Sequence, residues 1–373
     1  MALLITEEEK MLKEAARELI ESKASIDQFR SLRDQNYQSF DESTWNEMIE
    51  MGWTSLIIPE EYNGLDFGYV GMGQVLEEMG RKLVKSPLVS SILFSATALK
   101  YSDNDDLKIN FFPKLMSGET LIALAVDEKS YHDPDDINTR ATEENKCYKL
   151  NGKKTFVLNA NCSDHLIVLA KTDSEEYGLF IVKSNTSGII INNKILLDTS
   201  SYSDIILDDV SIPKEYRLDI KISGRELIKK ILDISCIGLS AEILGIIMES
   251  FELTINYLKE REQFGVKIGS FQSLQHRAAK LFSEIELCKS IVLKALQAID
   301  KENTDLSYYA SLAKAKLCKT AKLMTNEAIQ MHGGIGVTDD SNIGFYLKKA
   351  RVVQKIFGDY NFHLDKLAKI KGY

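Results

Sequence analysis

Apolar residues at Met11, Leu12, Ala15, Ala16, Leu19 and Ile20 recur at the spacing of one helix face. Thr6 stands just before them with Glu9 three positions on, a capping box that predicts where this helix starts. Similar patterns predict helices near residues 45–51, 72–83 and 89–99. Residues 51–64 interrupt them with a short apolar run and a turn, and read as a loop packed on helices. The period changes near Gly118. From residue 119 to about 213 the chain runs in alternating, β-branched stretches: 121–126, 147–150, 154–158, 166–170, 179–182 and 189–196. Asn151 with Gly152 and Ser187 with Gly188 mark turns between them, as expected of a compact antiparallel β domain. Helical periodicity then returns over residues 224–259, 271–301, 305–331 and 341–357, with a short tail helix beyond Tyr360. The expected class is therefore α+β. A helical domain over 1–118 precedes a middle antiparallel β domain over 119–220 and a C-terminal four-helix bundle over 221–373.

A chain of 373 residues is long enough for two or three domains with cores of their own. Its content of 44% hydrophobic and 27% charged residues is that of an ordinary soluble globular protein. The net charge of −9 argues against a general nucleic-acid-binding surface. Cys147, Cys162, Cys236, Cys288 and Cys318 lie far apart, which fits reduced thiols better than a disulfide framework. The first residues are too acidic for a secretory signal, and no apolar run approaches membrane-spanning length, so a cytoplasmic protein is expected.

The most informative stretch runs from residue 258 to 276. A helical pattern ends at Phe264 and Gly265, a loop with Gly269 follows, and a second helix opens with Gln272, Gln275 and His276 in its first turn. A glycine past a helix end lets the backbone turn with positive φ. The unpaired N–H groups of the next helix start favour an anion, and Arg261 adds a positive fork for phosphate. On these features alone an ordinary exposed helix–loop–helix fits equally well. The residues themselves go further. Arg261-Glu262-Gln263-Phe264-Gly265, followed by Gln272, Gln275 and His276, resembles the flavin-binding signature of the acyl-CoA dehydrogenases. Gly52-Trp53 with Pro59-Glu60-Glu61-Tyr62-Asn63-Gly64 resembles an N-terminal segment of that family, with Asn63 where glycine is usual. Residues 204–213 resemble the end of its middle domain. Residues 327–336, which carry Gln330, His332, Gly333, Gly334 and Gly336, resemble its "A-x-Q-x-x-G-G-x-G" segment. These glycines follow a helix rather than a strand, which excludes a dinucleotide-binding Rossmann turn.

The resemblance implies FAD as cofactor and an acyl-CoA thioester as substrate. It also implies a homotetramer, or a heterotetramer with a related subunit, with each FAD at a subunit junction and an electron-acceptor flavoprotein as a further partner. Residue by residue it assigns FAD contacts to Arg261, Gln263, Phe271 and Gln272 at the pyrophosphate and adenine ends, and to Gln330, Gly333 and Gly334. Phe156 and Leu158 fall where many members place Trp and Thr against the flavin ring. Residues 125–130 depart from the family's "T-E-P-G-A-G-S-D": Glu128 stays, while the proline and both glycines are missing. His132 and His165 lack metal-ligand spacing, and no metal is expected.

The implied chemistry needs a base for the carbon next to the thioester, and a positioned base contributes about 10²–10⁴-fold. Gapless alignment puts Phe357 at the family's glutamate, and phenylalanine cannot take a proton. Asp359, two residues on and after Gly358, is the expected base, with a pKa raised by burial. Relatives with the base on the helix before Arg261 point instead to about Ser235, with Asp233 and Glu242 nearby; Ser235 and Glu242 share a helix face. Three readings follow: an FAD-dependent acyl-CoA dehydrogenase, a non-catalytic partner subunit of a heteromeric one, and a flavin oxidase or monooxygenase on the same fold.

Overall fold

The computed structural model describes residues 3–35 and 37–373. Helices come first: α1 Glu7–Lys23, α2 Ile26–Asp34, α3 Glu42–Glu50, α4 Tyr69–Lys82, α5 Thr97–Lys100 and α6 Asp105–Met116, with a π-helical stretch Leu88–Ala96 leading into α5. The strands are β1 Ile122–Ala125, β2 Arg140–Glu144, β3 Cys147–Leu158, β4 His165–Thr172, β5 Tyr177–Lys183, β6 Ile189–Ile195 and β7 Ser201–Pro213. Helix α7 Gly224–Glu260 is followed by a small hairpin, β8 Glu262–Gln263 and β9 Val266–Lys267. Helices α8 Gln272–Asp300, α9 Leu306–His332, α10 Ile343–Val353 and α11 Tyr360–Lys371 complete the chain. Local chemistry accounts for several boundaries. Thr6 accepts from the Glu9 N–H at 3.1 Å while the Glu9 carboxylate accepts from the Thr6 N–H at 2.7 Å, closing the expected capping box.

The strands form one sheet in the order β1-β4-β2-β3-β7-β6, with β5 also pairing with β4. It is mixed rather than antiparallel: β4 runs parallel to β1 and to β2. Between β1 and β4 lies the whole β2–β3 hairpin, a crossover long enough to bring the chain back in the same direction. The core of this sheet is made by Leu150, Leu166, Val168, Phe180, Ile205 and Val210, all fully buried.

The order of elements follows the expected helices, strands, helices, but the compact units cut across it. One comprises residues 1–31, 69–84 and 236–373; the other comprises 32–68 and 85–235. In the first unit α4 and α7 touch backbone to backbone. A Cβ on Gly80 would overlap the carbonyl oxygen of Glu242, and one on Gly245 would overlap that of Glu77. Gly245→Ala is therefore expected to lower stability by about 1–3 kcal/mol, since a rigid backbone cannot yield as a side chain can. An unchanged midpoint in chemical denaturation would refute the close contact. Contrary to the expectation of no membrane-length apolar run, α7 is long and apolar enough to cross a bilayer; 94% of its most apolar window is buried within the chain's own fold.

Candidate functional site

Helix α7 ends at Glu260, in line with the periodicity over 224–259 and short of the helical pattern that runs to Phe264 and Gly265. Phe264 and Gly265 instead form the tip of the β8–β9 hairpin, with φ of +56° and +79°. Two successive left-handed residues are what a tight hairpin turn needs. The tip throws Phe264 into solvent at 92% exposure, and its ring meets that of Phe271 edge-on at 6.3 Å. Gln263, Phe271 and Gln272 are exposed around it. Arg261 is exposed too, and its guanidinium has no partner among the described residues.

The other glycine motif lies at the same end of this helical unit. The Tyr257 ring, one turn before Arg261, stacks on that of His332 at 4.5 Å, and its hydroxyl donates to the His332 carbonyl at 3.3 Å. Arg277 near the start of α8 bonds Glu327 near the end of α9 at 2.6 Å. His332 Nδ1 lies 2.8 Å from the Ala328 carbonyl, which makes it the protonated nitrogen, and burial lowers the ring's pKa. Beyond it Gln330, Gly333 and Gly334 are exposed. Gly333 has φ +65°, and the space where either glycine would carry a Cβ is empty, as it is at Gly265.

In the second unit, Phe156 sits at an irregularity of the β3–β7 ladder, where the register shifts between Lys154 and Val157. Its φ of +57° and 42% exposure are those of a bulged residue turned out of the sheet, with its ring 5.2 Å from Tyr202. Leu158 follows, half-buried and opposite Tyr202. Beside them Glu128, the residue retained from the family's loop motif, is the hub of that loop. Its carboxylate accepts from the backbone N–H groups of Asn138 (2.6 Å) and Thr139 (3.0 Å), from the Thr139 hydroxyl (2.6 Å) and from Lys154 Nζ (2.7 Å). Burial alone would raise the Glu128 pKa, but the Lys154 charge and these bonds outweigh it and hold it low. Burial pushes fully buried Lys154 down to about 8 against the pull of Glu128. His132 Nδ1 meets Asp127 at 2.7 Å in the same loop.

The turn after α10 departs from expectation at Asp359. Its carboxylate caps α11, accepting from the N–H groups of Asn361 (3.1 Å) and Phe362 (3.3 Å), and pairs with Lys355 at 2.6 Å. Partial burial raises its pKa less than these partners lower it, so it lies below the ordinary value rather than above it. A base desolvated into readiness is not what this environment makes. Asp359→Ala is expected to lose about 0.5–2 kcal/mol at neutral pH through the missing cap. Because the folded pKa is depressed, that difference should fade as pH drops through it, which urea melts across acidic pH would follow. On α7, Glu242 is buried and paired with Lys349 at 3.2 Å. Ser235 is fully buried with an unpartnered hydroxyl, and Asp233 is buried as well.

Family matches cover nearly the whole length. The acyl-CoA dehydrogenase N-terminal domain matches residues 6–119, the middle domain 125–210 and the C-terminal domain 223–371. The chain belongs to the acyl-CoA dehydrogenase family. Among its relatives, 3-(aryl)acrylate reductase of Clostridium sporogenes is 29% identical over 366 residues, covering 94% of this chain and 95% of that one. Probable acyl-CoA dehydrogenase YngJ of Bacillus subtilis is 28% identical over 361 residues, 94% of each chain. The fold matches a chain of the ChsE4-ChsE5 complex from Mycobacterium tuberculosis with a TM-score of 0.92 over all of both chains at 21% identity. As a family oxidoreductase the protein is a flavoprotein whose cofactor is FAD. Its residues fit that group: an unpaired arginine, exposed amides and three open glycine positions share one end of the helical unit. The Glu128–Lys154 hub and the bulge at Phe156 escape sequence reading. The only available signal was a lysine kept inside a β-branched strand.

Proposed function

We propose that this protein serves the FAD-dependent α,β-dehydrogenation of an acyl-CoA thioester, in an assembly where each flavin lies across a subunit junction. The observation that carries it is the convergence of Arg261 with Gln330, Gly333 and Gly334 at one solvent-open end, tied together through the Tyr257–His332 stack. Arg261 would hold the pyrophosphate, with Gln263, Phe271 and Gln272 toward the adenine end. When bound, FAD would supply a two-electron acceptor for the hydride of the β-carbon, leaving a base of the assembly to take the α-proton. An exposed apolar strip supports a partner chain at this end: Phe264 and Phe271 beside the motif, Phe282 and Leu287 farther along α8.

A second reading, that this chain is the base-free member of a heteromeric pair, is favoured by the carboxylates near the implied base position. Phe357 occupies that position, Asp359 is spent on a helix cap, and Glu242 is spent on Lys349. Purification alone and with co-expressed relatives separates the two. A yellow protein that bleaches with an acyl-CoA thioester by itself supports the first. Flavin and bleaching only in a mixed complex support the second, and a protein that never holds flavin refutes both.

A further inference from the structure

Lys314 on α9 is fully buried, and among the described residues no carboxylate pairs with it. Its ammonium donates instead to the carbonyl oxygens of Val353 (3.2 Å), Ile356 (2.6 Å) and Gly358 (3.4 Å). One helical turn on, the Cys318 thiol lies 3.8 Å from the Gln354 carbonyl. Cys236 on α7 (Sγ at 3.5 Å) and His363 on α11 (Nε2 at 3.1 Å) both approach the Phe357 carbonyl as donors. Each of these four side chains is at most 2% exposed. Five of the six carbonyls from residue 353 to 358 are thus gripped by buried groups from three helices. An ordinary helix end leaves such carbonyls to water or to a glycine cap. A buried ammonium without a counter-ion is a costly substitute for either.

The grip centres on a strained residue. Phe357 has φ +53°, in the left-handed region that bulky side chains avoid, and Gly358 follows at +100°. Such strain persists only where the surroundings over-determine the backbone, and it gathers at functional sites. A role in stability alone would be met more simply by an apolar side chain of lysine's volume.

We propose that Lys314 is a positioning residue, which fixes the backbone at residue 357 so that the side chain there is presented where an α-proton base acts. This rests on the dehydrogenation reading above. On that basis the turn is a base-presenting frame that has kept its scaffold while carrying phenylalanine. Lys314 acts on whatever residue 357 is, and does not itself touch substrate.

The test uses the full chain, with its partner if one is needed for flavin, and compares Phe357→Glu, Lys314→Met and the double variant. Short-, medium- and long-chain saturated acyl-CoA thioesters serve as probes, alongside amide hydrogen exchange across residues 354–360. Phe357→Glu is expected to bleach at least about 100-fold faster than the parent, the scale of a positioned base. Adding Lys314→Met should remove most of that gain in kcat while KM and flavin content hold. Lys314→Met alone should speed exchange in the turn about tenfold or more, with the rest of α9 unchanged, as local opening would. Should that variant not fold, His363→Leu carries the same test, and His363→Gln, which keeps a donor, should restore the turn. Flavin-loaded Phe357→Glu that bleaches no faster than the parent overturns the proposal, as does a gain indifferent to Lys314. If the parent never holds flavin, the dehydrogenation reading fails separately; exchange still reports on Lys314, and unchanged exchange overturns its role.

Discussion

Lys154→Met is expected to destabilise the protein by about 3–5 kcal/mol, the range found when one partner of a buried ion pair is removed. Lys154 is fully buried, and its ammonium bridges Glu128 at 2.7 Å and the Val126 carbonyl at 3.0 Å. Methionine fills the same volume, so the loss comes from the stranded carboxylate rather than from a cavity. Glu128 would keep its donors from Asn138 and Thr139 but lose the only charged partner it has among the described residues. Two further measurements make the attribution specific. The penalty should shrink in acid, because a carboxylate without its counter-charge protonates more readily and then no longer carries an unpaired charge. The double change with Glu128→Gln should recover much of the loss, since a neutral amide needs no counter-ion. Urea denaturation of Lys154→Met within about 1 kcal/mol of the parent would show that the pair does not hold the loop.

Arg261→Ala is expected to weaken FAD retention by roughly tenfold to a hundredfold, the equivalent of the about 1.5–3 kcal/mol that a charge-assisted hydrogen bond contributes. Arg261 is exposed and its guanidinium is unpaired among the described residues, so little folding stability should go with it, and the thermal midpoint of the flavin-free protein should stay where it was. That separation distinguishes a ligand-binding arginine from a structural one. Flavin content and fluorescence after dialysis measure the first effect. Equal content in variant and parent, at a concentration where the parent releases some flavin, would remove Arg261 from the site.

The parts of the chain legible in its sequence are those governed by neighbours in sequence. The Thr6–Glu9 box, the α8 start at Gln272 and the glycine turn after His332 are local patterns, and each stands where it is expected. The periodicity over 224–259 stops where α7 does, but the hairpin beyond it, which reads in sequence as a continuing helix end, shows only in the dihedrals of Phe264 and Gly265. The parallel pairing of β1 with β4 was hidden because it joins residues more than forty positions apart. Asp359 shows the limit for sites. A carboxylate near a family's catalytic position looks the same in sequence whether it faces substrate or caps a helix, and here Lys355 and two amides make it a cap. Lys314 stands out in sequence as a lysine on the buried face of α9 with Ala310, Ala313, Leu317 and Ala321. Its partners, being main-chain carbonyls, leave no trace in the sequence.

The way the compact units cut across the chain bears on how the protein is made. The unit that begins with α1 and takes up α4 by Val84 gains its next segment only at Cys236. At ribosomal rates of about 5–20 residues per second, α4 waits roughly ten to thirty seconds before the α7 backbone that meets Gly80 and Glu77 emerges. During that interval α4, buried along nearly its whole length in the finished fold, has α1 packed on it while α7 and α8 are still to come. The nascent chain is then a natural client for chaperones that shield apolar helices, and slowing translation before residue 236 should lower the yield of folded protein more than slowing it afterwards.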